Sequence, residues 1–277
     1  MIKNVEYILP GGRSGVLLIH GLTGTPAEMR FVAKGLQRHG FTTYGMQLAG
    51  HCGNEADLLA TGRSDWFQSV RDAADKLAAQ VDHLFVAGLS MGSLLALRLA
   101  AERPEQVAGL GLYGTTFRYD GWTIPWYGKH LSFLLPMAVS LGIGKHTHFH
   151  EQFPYGIKDE RIRQRIAGAM LSGHSDEGGL PGNPWPSLAE FYRLSWRVRK
   201  LLPQVVAPSL ILHAREDDVA SLANVRHLER ELRGPHETQI LDKSYHMITV
   251  DQERDIVIER SAAFFKRLVE SKAATRA

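Results

Sequence analysis

Three features of the sequence predict an α/β fold with a mostly parallel central sheet, helices on both faces and an inserted helical cap. Short apolar or β-branched runs bounded by glycine recur at residues 16–19, 41–46, 84–87 and 107–113. That is the signature of strands buried on both sides. Segments with helical spacing separate them, such as Trp66, Phe67, Val70, Ala74, Leu77 and Val81. Connections long enough for crossover helices favour parallel pairing. The third feature is an interruption of this alternation for roughly 90 residues after Tyr113, too long for a structureless loop in a compact domain.

Each element has a local reason. Ser64 is a candidate N-cap for the helix that carries Trp66. The stretch after Ser90 (Leu94, Leu95, Ala96, Leu97, Leu99, Ala100) is apolar nearly all round, as expected of a helix sandwiched between a sheet and its neighbours. The strand pattern returns at 209–212, with a further strand at 239–241 and a last helix near 252–269. The sheet-and-helix core is therefore expected in residues 1–116 and 203–277, and the cap in 117–202. The cap holds four of the five tryptophans, Trp122, Trp126, Trp185 and Trp196, and two helices are expected near 161–171 and 187–201.

Composition narrows the function classes. The 277 residues carry 32 Lys and Arg against 29 Asp and Glu, a net charge of +3 without a long basic run, which argues against nucleic acid as a partner. The single cysteine, Cys52, cannot form an internal disulfide or a cysteine metal cluster, so a reducing, cytoplasmic compartment is expected. Residues 1–10 lack the apolar run of a secretory signal, and no stretch approaches the roughly 20 apolar residues that cross a bilayer.

The segment Gly88-Leu89-Ser90-Met91-Gly92 carries the strongest chemical signal because it stands between an expected strand and an expected helix. A G-x-S-x-G turn at such a junction thrusts the serine hydroxyl out of a sharply bent backbone, and the glycines remove side chains that would collide. A serine hydroxyl needs a base, and the base needs an acid to orient it. His246 follows the 239–241 strand in a loop that can return to the edge displaying Ser90; His213 lies inside a strand pattern. Asp217 and Asp218 follow the 209–214 strand, at the end where open parallel sheets place their sites. Residue chemistry leaves Asp217, Asp218 and Glu216 open as the acid. The order Ser, Asp, His differs from the chymotrypsin and subtilisin orders. A tetrahedral intermediate also needs two N–H donors, worth about 3–4 kcal/mol each. The turn His20-Gly21-Leu22-Thr23-Gly24 supplies Leu22, and Met91 after the nucleophile supplies the other.

These motifs together resemble the α/β-hydrolase superfamily, and within it the small bacterial carboxylesterase and monoacylglycerol lipase family. His20-Gly21-Leu22-Thr23-Gly24 is similar to that family's H-G-F-T-G oxyanion motif, with leucine for phenylalanine. Gly50-His51-Cys52-Gly53 resembles its G-H-G loop, departing at Cys52. Thr61-Gly62-Arg63-Ser64-Asp65-Trp66 resembles its T-G-x-x-D-W segment, and the stretches 214–217 and 246–253 resemble its acid and base segments. The resemblance covers roughly residues 13–116 and 205–268 and lapses in the cap. It implies an α/β-hydrolase fold, Asp217 as the acid and ester hydrolysis without a metal or organic cofactor. The particular ester is not implied. The same triad could act on a thioester, amide or carbon–carbon bond, and the fold could serve a non-catalytic receptor; intact triad and oxyanion motifs disfavour the latter.

Two further features stand outside the triad and its oxyanion turn. His146, His148 and His150 alternate and on a strand would point one way, as metal ligands can; polar surface is the favoured reading. The aromatic-rich stretch 122–143 could touch a lipid surface, but packing of a cap helix on the mouth of the pocket is favoured. The expected partner is a small ester; oligomeric state is not legible.

Overall fold

The computed structural model describes residues 2–171 and 179–276. Seven strands form the central sheet: β1 (Tyr7–Leu9), β2 (Ser14–Ile19), β3 (Thr42–Gly45), β4 (His83–Leu89), β5 (Val107–Tyr113), β8 (Ser209–Ala214) and β9 (His236–Leu241), in the order β1-β3-β2-β4-β5-β8-β9. Only the β1–β3 pair is antiparallel. The chain steps from β2 outward to β3 and then crosses to β4 on the other side. That reversal opens a crevice at the carboxyl ends of β2 and β4, where such sheets bind ligands.

Alternation along each strand feeds two cores. Leu17, Ile19, Val86, Leu112 and Ile211 face the helices α3 (Arg63–Ala78), α4 (Met91–Glu102), α8 (Trp185–Leu201) and α9 (Leu222–Glu231). Val16, Leu18, Phe85, Ala87 and Leu212 face α1 (Arg30–Arg38) and α10 (Arg254–Arg276). Phe85 and Phe265 stack with ring centroids 4.5 Å apart on that second face. The near-continuous apolar reading of β2 and β4 is thus explained by burial on both sides.

The expected strands are all present, with small shifts of boundary. One expectation fails: Ser64 does not cap α3. The helix begins at Arg63, and the Asp65 carboxylate, one turn in, accepts from the Gly62 N–H at 2.9 Å. A carboxylate reaching back satisfies the orphan donor better than a hydroxyl placed inside the first turn. Trp66 Nε1 donates to Thr61 Oγ1 at 3.2 Å, so the T-G-x-x-D-W segment is a helix-entry device.

Between β5 and β8 lie α5 (Trp126–Leu131), α6 (Leu135–Ser140), the short antiparallel pair β6 (His148–His150) and β7 (Gly182–Pro184), α7 (Glu160–Leu171) and α8. The expected cap includes residues 172–178, which lie outside the described residues. Helix α8 sends Phe191, Leu194 and Val198 into the first core. By contrast, Trp126, Leu141, Met137 and Phe133 stand in solvent, with Trp126 70% and Leu141 72% exposed. The expectation that the 122–143 stretch packs against the pocket mouth holds only at Thr123 and Ile124, which line the cavity. Among the described residues no helix is long and apolar enough to cross a membrane.

Candidate active site

The sheet's carboxyl edge gathers the residues singled out above. Ile19 pairs with Gly88 and Leu89 with Tyr113, so the turn after β2, the elbow after β4 and the turn after β5 emerge side by side. Ser90 sits between β4 and α4 with φ 56° and ψ −115°, a strained backbone for a residue with a side chain. Its N–H donates to Tyr113 O at 2.8 Å, which holds the bend in place. A Cβ on Gly88 would strike the Gly92 backbone, and one on Gly92 would strike the carbonyl of Ile19. Both elbow glycines are therefore required by close backbone approach.

Ser90 Oγ donates to Thr116 Oγ1 at 3.1 Å, and Thr116 in turn donates to Gly114 O at 2.9 Å. In this resting arrangement the serine bonds a threonine that sequence reasoning missed, while Ser90 and His246 line one cavity of about 950 Å³. His246 lies against Gly114, where an added Cβ would sit 3.3 Å from its Cε1.

His246 Nδ1 is 2.8 Å from Asp217 Oδ2 and 3.1 Å from Oδ1. Asp217 Oδ1 accepts from the N–H groups of Val219 and Ala220 at 2.9 and 2.7 Å. The carboxylate is buried, and burial alone would raise its pKa, but the charge and hydrogen bond of His246, helped by His213, hold it below the ordinary value. For His246 burial acts downward, and Asp217, Asp218 and Glu151 reverse it, leaving the imidazole above its ordinary value. His213 Nε2 lies 2.7 Å from Ala220 O and 3.3 Å from Asp217 Oδ2. It buttresses the acid from inside β8.

The neighbouring acids do other work. Asp218 accepts from His246 N–H at 3.2 Å through Oδ1 and from Gly156 N–H at 2.9 Å through Oδ2. It thereby ties the histidine's backbone to the segment between β5 and β8, and burial together with Asp217 raises its pKa. Glu216 points away and pairs with Lys158 at 2.6 Å. The alternatives left open by residue chemistry are thus separated by geometry: only Asp217 among the three reaches the imidazole ring.

On the opposite wall, the turn after β2 carries Leu22 between Gly21 and a left-handed Thr23 at φ 59°. Among the described residues the Leu22 N–H finds no acceptor within the protein, and Met91, as the first residue of α4, has no intrahelical acceptor for its own. A Cβ on Gly21 would lie 3.7 Å from Ser90 Cβ, so this turn flanks Ser90. His20 is fully buried; Leu48 N–H donates to its Nε2 at 3.2 Å and its Nδ1 is 2.9 Å from Gly21 O. Burial and nearby His51 depress its pKa to about 3. It braces the turn as a neutral ring.

Among the described residues no group of three His, Cys, Asp or Glu side chains is gathered as a metal site. His148 and His150 do stack on one side of β6, and His148 Nε2 sits 2.8 Å from Glu55 Oε2. Cys52 is buried.

Comparison with known proteins agrees with this architecture. The family model of serine aminopeptidase S33 hydrolases matches residues 12–253. The chain belongs to this family. It is an α/β-hydrolase, similar to a thermostable monoacylglycerol lipase of Bacillus sp. strain H-257, with 28% identity over 262 residues and 94% of each chain covered. It is also 24% identical to a carboxylesterase of Bacillus subtilis over 276 residues, 95% of this chain and 96% of the relative. A solved structure described with LipS and LipT, two metagenome-derived lipolytic enzymes, superposes with a TM-score of 0.78 at 28% identity, covering 95% of this chain and 97% of the other. Within this α/β-hydrolase family the chain falls in the carboxylesterase and monoacylglycerol lipase group.

Proposed function

We propose that this carboxylic ester hydrolase works through an acyl-enzyme on Ser90, with His246 as general base and acid and Asp217 as its orienting partner. The observation that carries the reading is the buried Asp217–His246 pair, 2.8 Å apart at Nδ1, opening on the same cavity as a serine held at a strained elbow. With Nδ1–H committed to Asp217, the free Nε2 is the basic nitrogen. On substrate entry Ser90 Oγ exchanges its Thr116 partner for that nitrogen, loses its proton to it and attacks the acyl carbon. The N–H groups of Leu22 and Met91 hold the oxyanion, aided by the positive end of the α4 dipole. His246 returns the proton to the leaving alcohol; water then repeats the sequence and frees the acid.

Esters of short or medium acyl chains, or monoacylglycerols, are the proposed substrates. The cavity combines apolar walls (Leu22, Ile124, Phe149, Ile166) with polar groups beside the histidine, as a site for an alkyl chain on one side and an alcohol on the other requires. The esterase relatives favour esters over the thioesters, amides or carbon–carbon bonds that the same oxyanion could serve. The reading places the enzyme in the cytoplasm, since a chain with one cysteine needs no oxidising compartment to fold. Residues 117–202 act as its cap. The test is hydrolysis of p-nitrophenyl esters of graded chain length by wild type and Ser90→Ala. Turnover by wild type with an optimum at short or medium chains, absent in the alanine variant, is expected; unchanged turnover in the variant would reject the mechanism.

A further inference from the structure

We infer that Glu28 is a positioning residue of the oxyanion hole, clamping the turn after β2 from both ends so that the Leu22 N–H stays aimed at the reacting oxygen. This rests on the assignment of Leu22 as an oxyanion donor and goes beyond it, because that scheme gives Glu28, which lines the same cavity, no part in the chemistry.

The sequence Thr25-Pro26-Ala27-Glu28 has the form of a capping box with proline at the first helical position. The structure bears this out in part: residues Pro26–Met29 form a 3₁₀ turn, and Thr25 Oγ1 accepts from Ala27 N–H at 3.2 Å. In an ordinary box the glutamate only reaches back to the cap's own N–H. Here the carboxylate interacts with the Thr25 N–H and also accepts the Gly21 N–H at 3.1 Å through Oε2. One side chain therefore bridges the two ends of the turn, with Leu22 between them.

The turn is built to close on that carboxylate. A Cβ on Gly24 would collide with Glu28 Oε1, so only glycine permits the approach. A Cβ on Gly21 would stand 3.7 Å from Glu28 Oε2 and 3.7 Å from Ser90 Cβ, which sets the clamp directly behind the nucleophile. The rest of the turn is held by neutral contacts: Gly24 N–H to Gly21 O at 3.3 Å, the His20 ring on the same carbonyl, Thr23 Oγ1 to Leu22 O at 2.5 Å and to Asn183 Oδ1 at 3.3 Å, and Leu180 N–H to Thr23 O at 3.1 Å. Thr23 sits at positive φ, a conformation that surrounding contacts must enforce in a β-branched residue. Burial raises the Glu28 pKa to about 7, so its bonds gain full charge assistance only above that pH, and it is the joining of both ends of the turn by one side chain that makes Glu28 the principal restraint. Without it the turn relaxes and the Leu22 N–H swings off the oxyanion position, which matters because catalysis depends on donors already aimed before charge develops.

The experiment compares Glu28→Ala, Glu28→Gln and Ser90→Ala on a p-nitrophenyl ester, with affinity for a trifluoromethyl ketone, which forms an oxyanion on Ser90, as a second readout. Glu28→Ala is expected to lower kcat about 10- to 100-fold, part of the ~10²–10³ that losing an oxyanion donor costs, with KM changed less than about 3-fold and ketone affinity falling in parallel with kcat. Glu28→Gln, which keeps one accepting oxygen, is expected to recover about half of that loss on a logarithmic scale; it also serves as the deciding variant if the alanine protein does not fold. A native melting temperature with kcat within about 3-fold of wild type in Glu28→Gln and Glu28→Ala would overturn the inference, as would a rise in KM at constant kcat, which would mark a substrate-binding role. Turnover surviving in Ser90→Ala would instead reject the acyl-enzyme reading itself, so the two failures are distinguishable.

Discussion

At the carboxyl edge of the sheet, Asp217, Asp218, His246 and Ser90 are all buried; backbone groups hold three of them, Asp217 by Val219 and Ala220, Asp218 by Gly156 and His246, and Ser90 by Tyr113, while the two aspartates hold His246. Residues 122–143 of the cap are the opposite case. Trp122, Trp126, Tyr127, Leu131, Phe133, Met137, Leu141 and Ile143 are exposed, and α5 buries none of its residues. The two regions touch at the start of this stretch, where Thr123 donates to Asp218 O through its N–H at 3.2 Å and its Oγ1 at 2.6 Å, and Trp122 Nε1 donates to Glu216 O at 3.0 Å. The contrast teaches that the geometry of Ser90, Asp217 and His246 is set by polar satisfaction at the sheet edge. The outer cap face contributes little to it.

Substitutions should therefore separate sharply by region. Ser90→Ala is expected to lower kcat by about 10⁴-fold or more, since loss of the nucleophile leaves only binding and oxyanion stabilisation. Asp217→Asn should cost about 10³- to 10⁴-fold by releasing the histidine tautomer. Asp218→Asn, measured beside it, should cost about 10-fold or less, because it holds the backbone of His246 and not its ring. A larger loss at Asp218 than at Asp217 would break the assignment of the acid.

The pH profile sharpens the same distinction. His246 must be neutral to act as base, so kcat/KM should rise with pH through a midpoint above the ordinary imidazole value of 6.5, the direction in which its acidic neighbours shift it. Asp218 contributes to that upward shift, and Asp218→Asn should move the midpoint to lower pH. A midpoint moving upward in this variant would contradict the electrostatics.

Packing gives the next effect in size. Gly92→Ala forces a methyl into the Ile19 carbonyl and is expected to destabilise the fold by about 1–3 kcal/mol, seen as a lower denaturation midpoint together with lost activity. The smallest effect belongs to the outer cap: Trp126→Ser and Leu141→Ser should each change stability by no more than about 0.5 kcal/mol and leave hydrolysis of a short, water-soluble ester unaltered. A loss there comparable to that of Asp217→Asn would erase the distinction between the regions.

What was legible in the sequence follows the same division. The elbow announces itself because close backbone approach demands glycine at Gly88 and Gly92, and the turn after β2 because Gly24 leaves room for the Glu28 carboxyl. That Ser90, an acid among residues 216–218 and His246 follow one another at one sheet edge was legible because strands buried on both faces mark where each loop must emerge; Asp217 itself came from the family resemblance. Thr116 and the separate duties of Asp217 and Asp218 were not, since hydroxyls and aspartates are common in turns and their partners lie 26 and 28 to 29 positions away. β1 was missed because three half-buried residues at an edge give no periodicity. Glu28 did leave a signal, the capping-box spacing from Thr25, although that spacing says nothing of the extra reach to Gly21. The exposed cap surface was misjudged because aromatic side chains report apolarity and not what covers them.

The acyl-enzyme is the central claim, and trapping it is the most direct test. Wild type mixed with a p-nitrophenyl ester, quenched in acid within a turnover and digested, should yield the peptide containing Ser90 heavier by the acyl group, with no such adduct in Ser90→Ala. An acyl group found on another residue, or rapid hydrolysis with a burst of p-nitrophenol in Ser90→Ala, would contradict the account.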